Sequence, residues 1–326
     1  MNHEKIKEFE QVIHSDYHNT VGIVVEKNGK TLYESYFNGY TANHAIQVYS
    51  VTKSVFSALM GIAIDKGYIK SIDQKVMDFF PDHVISQGEE TMQQVTIRDL
   101  LTMTAPYKYE IEPYEGFFMS ENWLKFALAR LGGKKKTGEF VYSAIVGTHI
   151  LSGILAKATG GSILDFAVEN LFSPLGIKVQ CNVELRTKEE HLAVMNDKNT
   201  SGWAVDPQGL NPAGWGLFLT PFDMAKIGRL YLDGGVWEGK QMVPAWWIAE
   251  STRTHSRWGE LSYGYLWWII DDQEPVYAAM GDGGNVIYIN AKKKMVIAMA
   301  GLFVPDGDAQ DRIRLIMEHI EPMFAD

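Results

Sequence analysis

The sequence predicts an α/β chain of the α+β type: an antiparallel sheet built from N- and C-terminal strands, flanked by helices, with an inserted, mostly helical lobe. Three observations point there. Strand-like runs sit at the two ends only, in VGIVVEKNGKTLYESYF near residue 21 and in YGYLWWII, NVIYIN and MVIAMAG beyond residue 262. Between about Ser71 and Pro212 such signals are scarce, and helical spacing dominates in TIRDLLTM, ENWLKFALARL and SAIVGTHILSGILAKATG. The length of 326 residues suits two domains or one large two-lobed unit. The expected division is residues 1–70 with 213–326 as the sheet-bearing lobe and residues 71–212 as the helical lobe.

The elements follow in order. Residues MNHEKIKEFEQVIHSD read as a short amphipathic helix, and Asn28-Gly29 between two β-rich runs is the strongest short-range hairpin signal. In SVTKSVFSALMGIAIDKG, Val51, Val55, Ala58, Leu59 and Ile62 recur at helical spacing, and Gly67 is a natural stop. Its apolar residues cover more than one face, so this helix is expected to be buried. A closing helix is expected from about Asp308 to Met323. The C-terminal strands then join the N-terminal hairpin in one sheet.

Composition removes several function classes. Thirty Lys and Arg against forty Asp and Glu leave a formal charge of −10 with no long basic stripe, so nucleic acid is a poor partner. The single cysteine, Cys181, can form no intramolecular disulfide and no thiolate zinc site. His44, His149 and His255 lack metal-ligand spacing, so neither a metal nor a cofactor is expected. No run of ~18 apolar residues is present to span a bilayer, and the charged opening is unlike a secretory signal. A reduced, cytoplasmic setting is therefore expected, while the oligomeric state is left open.

Common catalytic signatures are missing: no G-x-S-x-G elbow, no H-E-x-x-H helix and no P-loop. GGKKKTG has the wrong glycine spacing for a phosphate cradle and reads as a solvated basic loop. The informative place is Ser50, the only serine with a lysine three residues on, where the extended AIQVY turns into the apolar helix. Taken alone, this is equally a helix N-cap with a surface lysine. Residues three apart share a helix face, so Lys53 enters the same buried surroundings as Ser50. Burial disfavours an ammonium, which would let the amine accept or relay the serine proton. A helix N-terminus also offers free N–H groups to a developing oxyanion.

Here the sequence resembles the serine β-lactamase and penicillin-binding-protein superfamily, on the side of class C β-lactamases, family VIII esterases and nylon-oligomer hydrolases. Its signatures S-x-x-K, Y-x-N or Y-x-S, and K-T-G or H-x-G resemble, in order, Ser50-Val51-Thr52-Lys53, Tyr142-Ser143-Ala144 and Asp282-Gly283-Gly284. VTIRDLLTMTA and GWGLFLTPFDMAKIGRLYLDGGVWEGKQMVP are similar to the family's flanking text, so the likeness covers nearly the whole chain. A literal Lys136-Thr137-Gly138 precedes Tyr142 and is rejected as the third motif.

The resemblance implies a β-lactamase/transpeptidase-like fold with its site in the cleft between the lobes. It implies Ser50 as nucleophile, Lys53 as its proton-handling neighbour and Tyr142 as proton shuttle, although a packed tyrosine with a satisfied hydroxyl is the simpler reading of Tyr142 alone. The oxyanion hole is then expected from the backbone N–H groups of Ser50 and Asn285. Ala144 stands where many relatives have Asn, and Asp282 where others carry Lys or His, which argues against anionic β-lactams and D-alanyl ends. Substrate contacts are expected from Asp282, Gly283, Gly284, Asn285 and Ala144, and from Tyr107 and Tyr109 in the aromatic loop APYKYEIEPYEGFFMSENW. The expected partner is a small ester or amide, cleaved through an acyl-Ser50 intermediate. The rivals are a catalytically silent binding or sensing protein, and a true β-lactamase or D-amino-acid peptidase.

Overall fold

The structure is a computed structural model that describes residues 3–85, 89–179, 181–185, 188–195, 197–305 and 309–324. Strands Thr20–Lys27 and Lys30–Tyr36 form the expected hairpin. Asn28 and Gly29 both take positive φ, 51° and 72°, the turn geometry that matches the right-handed twist of paired strands.

Thr20–Lys27 pairs antiparallel with Met295–Gly301, so the chain's two ends meet in one sheet. That sheet has eight strands, in the order Lys30–Tyr36, Thr20–Lys27, Met295–Gly301, Asn285–Asn290, Val276–Gly281, Trp268–Asp271, Leu261–Tyr263, Ser256–Trp258. Side chains alternate between its faces. Ile23 and Val25 pack with Phe9 and Ile13 of the opening helix and with Ile313, Ile316 and Phe324 near the C-terminus. Val21 and Val24 instead join a core that includes Val55, Leu59 and Ile62 of the helix Val51–Asp65, together with Met224 and Ile227 of Pro221–Leu232. Both faces are covered, which is why these strands read as continuous apolar runs.

The helix Val51–Asp65 is buried from Val51 through Ala63. Lys66 caps it and Gly67, at φ 79°, turns the chain away. The middle of the chain contributes helices Ile97–Leu101, Trp123–Leu128, Val146–Thr159 and Ile163–Ala167.

Several expectations need correction. The middle of the chain also supplies strands Asn182–Glu184 and Gly202–Val205, which with Leu217–Leu219 and Ile46–Gln47 make a second, four-stranded sheet. These strands are too short to show alternation, and Gly202–Val205 is buried throughout. YGYLWWII is two strands rather than one, because Leu266 takes φ 62° and turns the chain between Tyr263 and Trp268. The closing helix is continuous only over Ala309–Leu315 and then widens through Ile316–Ile320 before Glu321–Phe324. Among the described residues no single helix is long and apolar enough to cross a membrane.

Candidate active site

The extended pair Ile46–Gln47 leads into a sharp turn at Tyr49, whose φ of 47° is unusual for a side-chain-bearing residue. That turn sets Ser50 at the mouth of the buried helix, half-exposed to a cleft of about 940 Å³. Ser50 makes no side-chain cap to its own helix. Its Oγ instead accepts a hydrogen bond from Lys53 Nζ at 2.7 Å. Lys53 is 2% exposed, and its second acceptor is the Gly214 carbonyl at 3.0 Å. One helical turn thus presents a hydroxyl to the cleft and an amine behind it.

Tyr142 completes the cluster from a segment just before the helix Val146–Thr159. Its ring centroid lies 5.2 Å from Lys53 Nζ, and the ring stacks on Trp268 at 5.8 Å. Tyr263 is buried nearby, edge-on to the same Trp268 at 4.7 Å, and burial, foremost, pushes its phenol well above the ordinary value. Ser50 and Lys53, singled out by their spacing, and Tyr142, singled out by the resemblance, therefore come together in space.

The third motif is placed differently from the expectation. Asp282–Gly284 is the turn joining Val276–Gly281 to Asn285–Asn290, with Gly281 paired to Asn285. Asp282 lines the cleft; Gly283, Gly284 and Asn285 do not. Both glycines have φ of 77° and back onto the opposite side, where a Cβ on Gly283 would meet the Leu302 carbonyl and one on Gly284 the Arg312 side chain. Asn285 is fully buried, and its amide holds the Asp282 and Gly301 carbonyls at 2.7 and 2.9 Å. The strand residue beside Ser50 is Gly281, whose Cβ position lies 3.0 Å from the Ser50 nitrogen.

Ala144 lines the cleft. Tyr107 and Tyr109 do not: they stack on each other at 5.1 Å behind the Tyr142 loop, with the Tyr109 hydroxyl 3.0 Å from Ser143 Oγ. Burial, foremost, pushes both phenols well up. The same loop does reach the cleft through Tyr114, Phe118, Met119 and Trp123. Opposite stand Tyr49 and Phe303, their rings 5.7 Å apart. Burial and then Asp282 raise the Tyr49 phenol, while Tyr114 is raised by burial, Glu112, Tyr142 and Asp282. His149, buried beside the cleft, sits 3.0 Å from Asp206.

A family model described as Beta-lactamase matches residues 8–320 of this chain. The chain belongs to the Beta-lactamase family. This member of the family is 22% identical over 315 residues to 6-aminohexanoate-dimer hydrolase of Paenarthrobacter ureafaciens, covering 89% of this chain and 74% of the relative. Among solved structures it is similar to a penicillin-binding-protein homologue from Caulobacter crescentus, with a TM-score of 0.72, 16% identity and coverage of 96% and 95% of the two chains. It is also similar to a family VIII carboxylesterase, with a TM-score of 0.70, 17% identity and coverage of 98% and 96%. The fold class is thus that of the β-lactamase/transpeptidase-like proteins, and the family is one of serine hydrolases.

Proposed function

We propose that the chain cleaves a small ester or amide through a covalent acyl-Ser50 intermediate. The observation that carries this reading is the 2.7 Å contact from Lys53 Nζ to Ser50 Oγ at the cleft-facing end of a buried helix. Ser50 Oγ attacks the substrate carbonyl carbon and its proton passes to the Lys53–Tyr142 pair. The same pair returns a proton to the leaving group as the C–O or C–N bond breaks. Water then attacks the acyl carbon as it gives a proton to the pair, and the pair returns that proton to Ser50 Oγ as the Oγ–C bond breaks and the acid leaves.

The oxyanion forming at the carbonyl needs two donors. Ser50 N–H is one. Since Gly281 packs against the Ser50 nitrogen and Asp282 borders the cleft, the Asp282 N–H is the better second donor than the buried Asn285. The aromatic walls suit an acyl or leaving group larger than acetyl, and the Asp282 carboxylate favours neutral or cationic substrates over anionic ones. The curated relative named for hydrolysing a 6-aminohexanoate dimer adds linear amides to the esters worth testing. Slow penicillin and cephalosporin hydrolysis is expected.

The test is a fluorophosphonate probe with intact-mass readout. One adduct on the wild type and none on Ser50→Ala supports the reading. An unlabelled wild type would favour the silent binding protein to which Asp282 and Ala144 point.

A further inference from the structure

Beneath the second motif lies a carboxylate with an unusual set of donors. The helix Val146–Thr159 starts at Ile145, which provides no side-chain cap, so its first N–H groups need acceptors from outside. Glu112 supplies them from a distant part of the chain. Ala144 N–H donates to its Oε2 at 2.7 Å, and Ile145 and Val146 N–H donate to Oε1 at 3.0 and 2.9 Å. The Ser143 hydroxyl donates to Oε1 at 2.8 Å and accepts from Gly147 N–H at 2.7 Å. An ionised carboxylate accepts on both oxygens and donates nothing, and negative charge is favoured at a helix N-terminus. An amide in its place would turn an NH₂ toward N–H donors.

Glu112 also stands two residues before Tyr114, which opens the short helix Tyr114–Phe118 on the cleft wall. One side chain therefore ties that wall to the loop carrying Tyr142 and Ala144. Glu112 is absent from the cleft lining itself, so its action on the site runs through the residues it holds. We propose that Glu112 is a positioning residue, a helix cap supplied from another segment that holds Tyr142 in register with Ser50 and Lys53. The proposal rests on the acyl-serine reading, in which Tyr142 helps to move the leaving group's proton.

Leaving-group chemistry separates positioning from mere stability. A p-nitrophenolate departs as a stable anion and needs little proton donation, whereas an anilide nitrogen must gain a proton before its C–N bond breaks. The experiment measures kcat/KM on the p-nitrophenyl ester and the anilide of one acyl group, with thermal unfolding of each variant alongside. Glu112→Gln is expected to raise the ester-to-anilide ratio by about tenfold or more, the scale of a misplaced catalytic group. Glu112→Asp, which keeps the charge but shortens the reach, is expected to fall between Gln and wild type, and it decides the matter if the Gln variant does not fold. In a Tyr142→Phe background, Glu112→Gln should change the ratio by less than about twofold, since both act through one group. Equal losses on ester and anilide in the Glu112 variants, with the ratio moved in Tyr142→Phe, would overturn the positioning role alone. An unmoved ratio in Tyr142→Phe would remove the assignment of Tyr142, and the proposal with it.

Discussion

Ser50 and Lys53 carry the sharpest expectations because each makes few contacts and those are defined. Ser50 caps nothing with its side chain, so Ser50→Ala should end acylation while shifting stability by less than the ~1 kcal/mol typical of a lost N-cap. Ester turnover near wild type would place the nucleophile elsewhere. Lys53→Ala removes the hydrogen-bond donor to both Ser50 Oγ and the Gly214 carbonyl, and should lower activity about as far as loss of the serine, since groups acting as a unit are non-additive. A rate within a fewfold of wild type would reduce the lysine to packing. Asp282 is exposed in the cleft. At an effective dielectric of ~20 and ~4 Å, two unit charges interact by roughly 4 kcal/mol, and even a quarter of that is close to tenfold in rate. Asp282→Lys should therefore improve kcat/KM for an anionic ester relative to its cationic match. A charge preference that does not move would show the carboxylate turned away from substrate. Ser50 and Lys53 were legible because a three-residue spacing fixes two side chains on one helix face wherever the helix lies, and Asp282 only through the resemblance of its motif. Glu112 was not: its partners lie more than thirty positions away, and a lone glutamate in an acidic loop carries no local mark.

At the scale of elements, the turn before Ser50 and the strand beside it fit without spare room. A Cβ on Gly281 would come within 2.4 Å of the Val48 carbonyl and 3.0 Å of the Ser50 and Val51 nitrogens. Gly281→Ala is therefore expected to destabilise by about 1–3 kcal/mol and to slow acylation beyond what the lost stability explains, measured as probe labelling well below the melting temperature. The strand pair Ser256–Trp258 and Leu261–Tyr263 borders His255, stacked on Tyr265 at 4.2 Å. Burial, foremost, holds the His255 imidazole below its ordinary 6.5. Between the depressed folded value and 6.5 the unfolded chain binds more protons, so this residue's contribution is present above 6.5 and lost as pH falls through the folded value. Melting temperature should fall with acidification in that window, and His255→Gln should flatten the decline; an unchanged slope would assign it to other groups. The Asn28-Gly29 hairpin was legible because its turn is chemically demanding, whereas Asn182–Glu184 and Gly202–Val205 are too brief to show a period.

Over the whole molecule, the chain's ends support its centre. Arg312 is 4% exposed, and burial pushes its guanidinium down to about 10. It donates to the Thr20 hydroxyl at 3.0 Å and to the Asn19 side-chain oxygen, while the Asn19 amide holds the Gly283 and Leu302 carbonyls at 2.8 and 2.7 Å. A residue near the C-terminus thus fixes the turn that brings Asp282 to the cleft. Arg312→Ala would leave Asn19 and Thr20 short of partners, for a loss of about 1–3 kcal/mol, and should lower turnover together with melting temperature. Stability lost with turnover intact would leave the network structural only. The sequence by itself determined the mixed fold, the buried helix, the terminal hairpin and the Ser50–Lys53 pair, because each depends on periodicity, turn chemistry or spacing within a few residues. Tertiary structure alone decided that Gly281 packs against Ser50 while the Asn285 side chain is buried, that Tyr114 and Phe118 rather than Tyr107 and Tyr109 line the cleft, and that Glu112 caps the Tyr142 loop. Those are contacts between segments far apart in the chain, set by hairpin register and packing, and no local pattern encodes them.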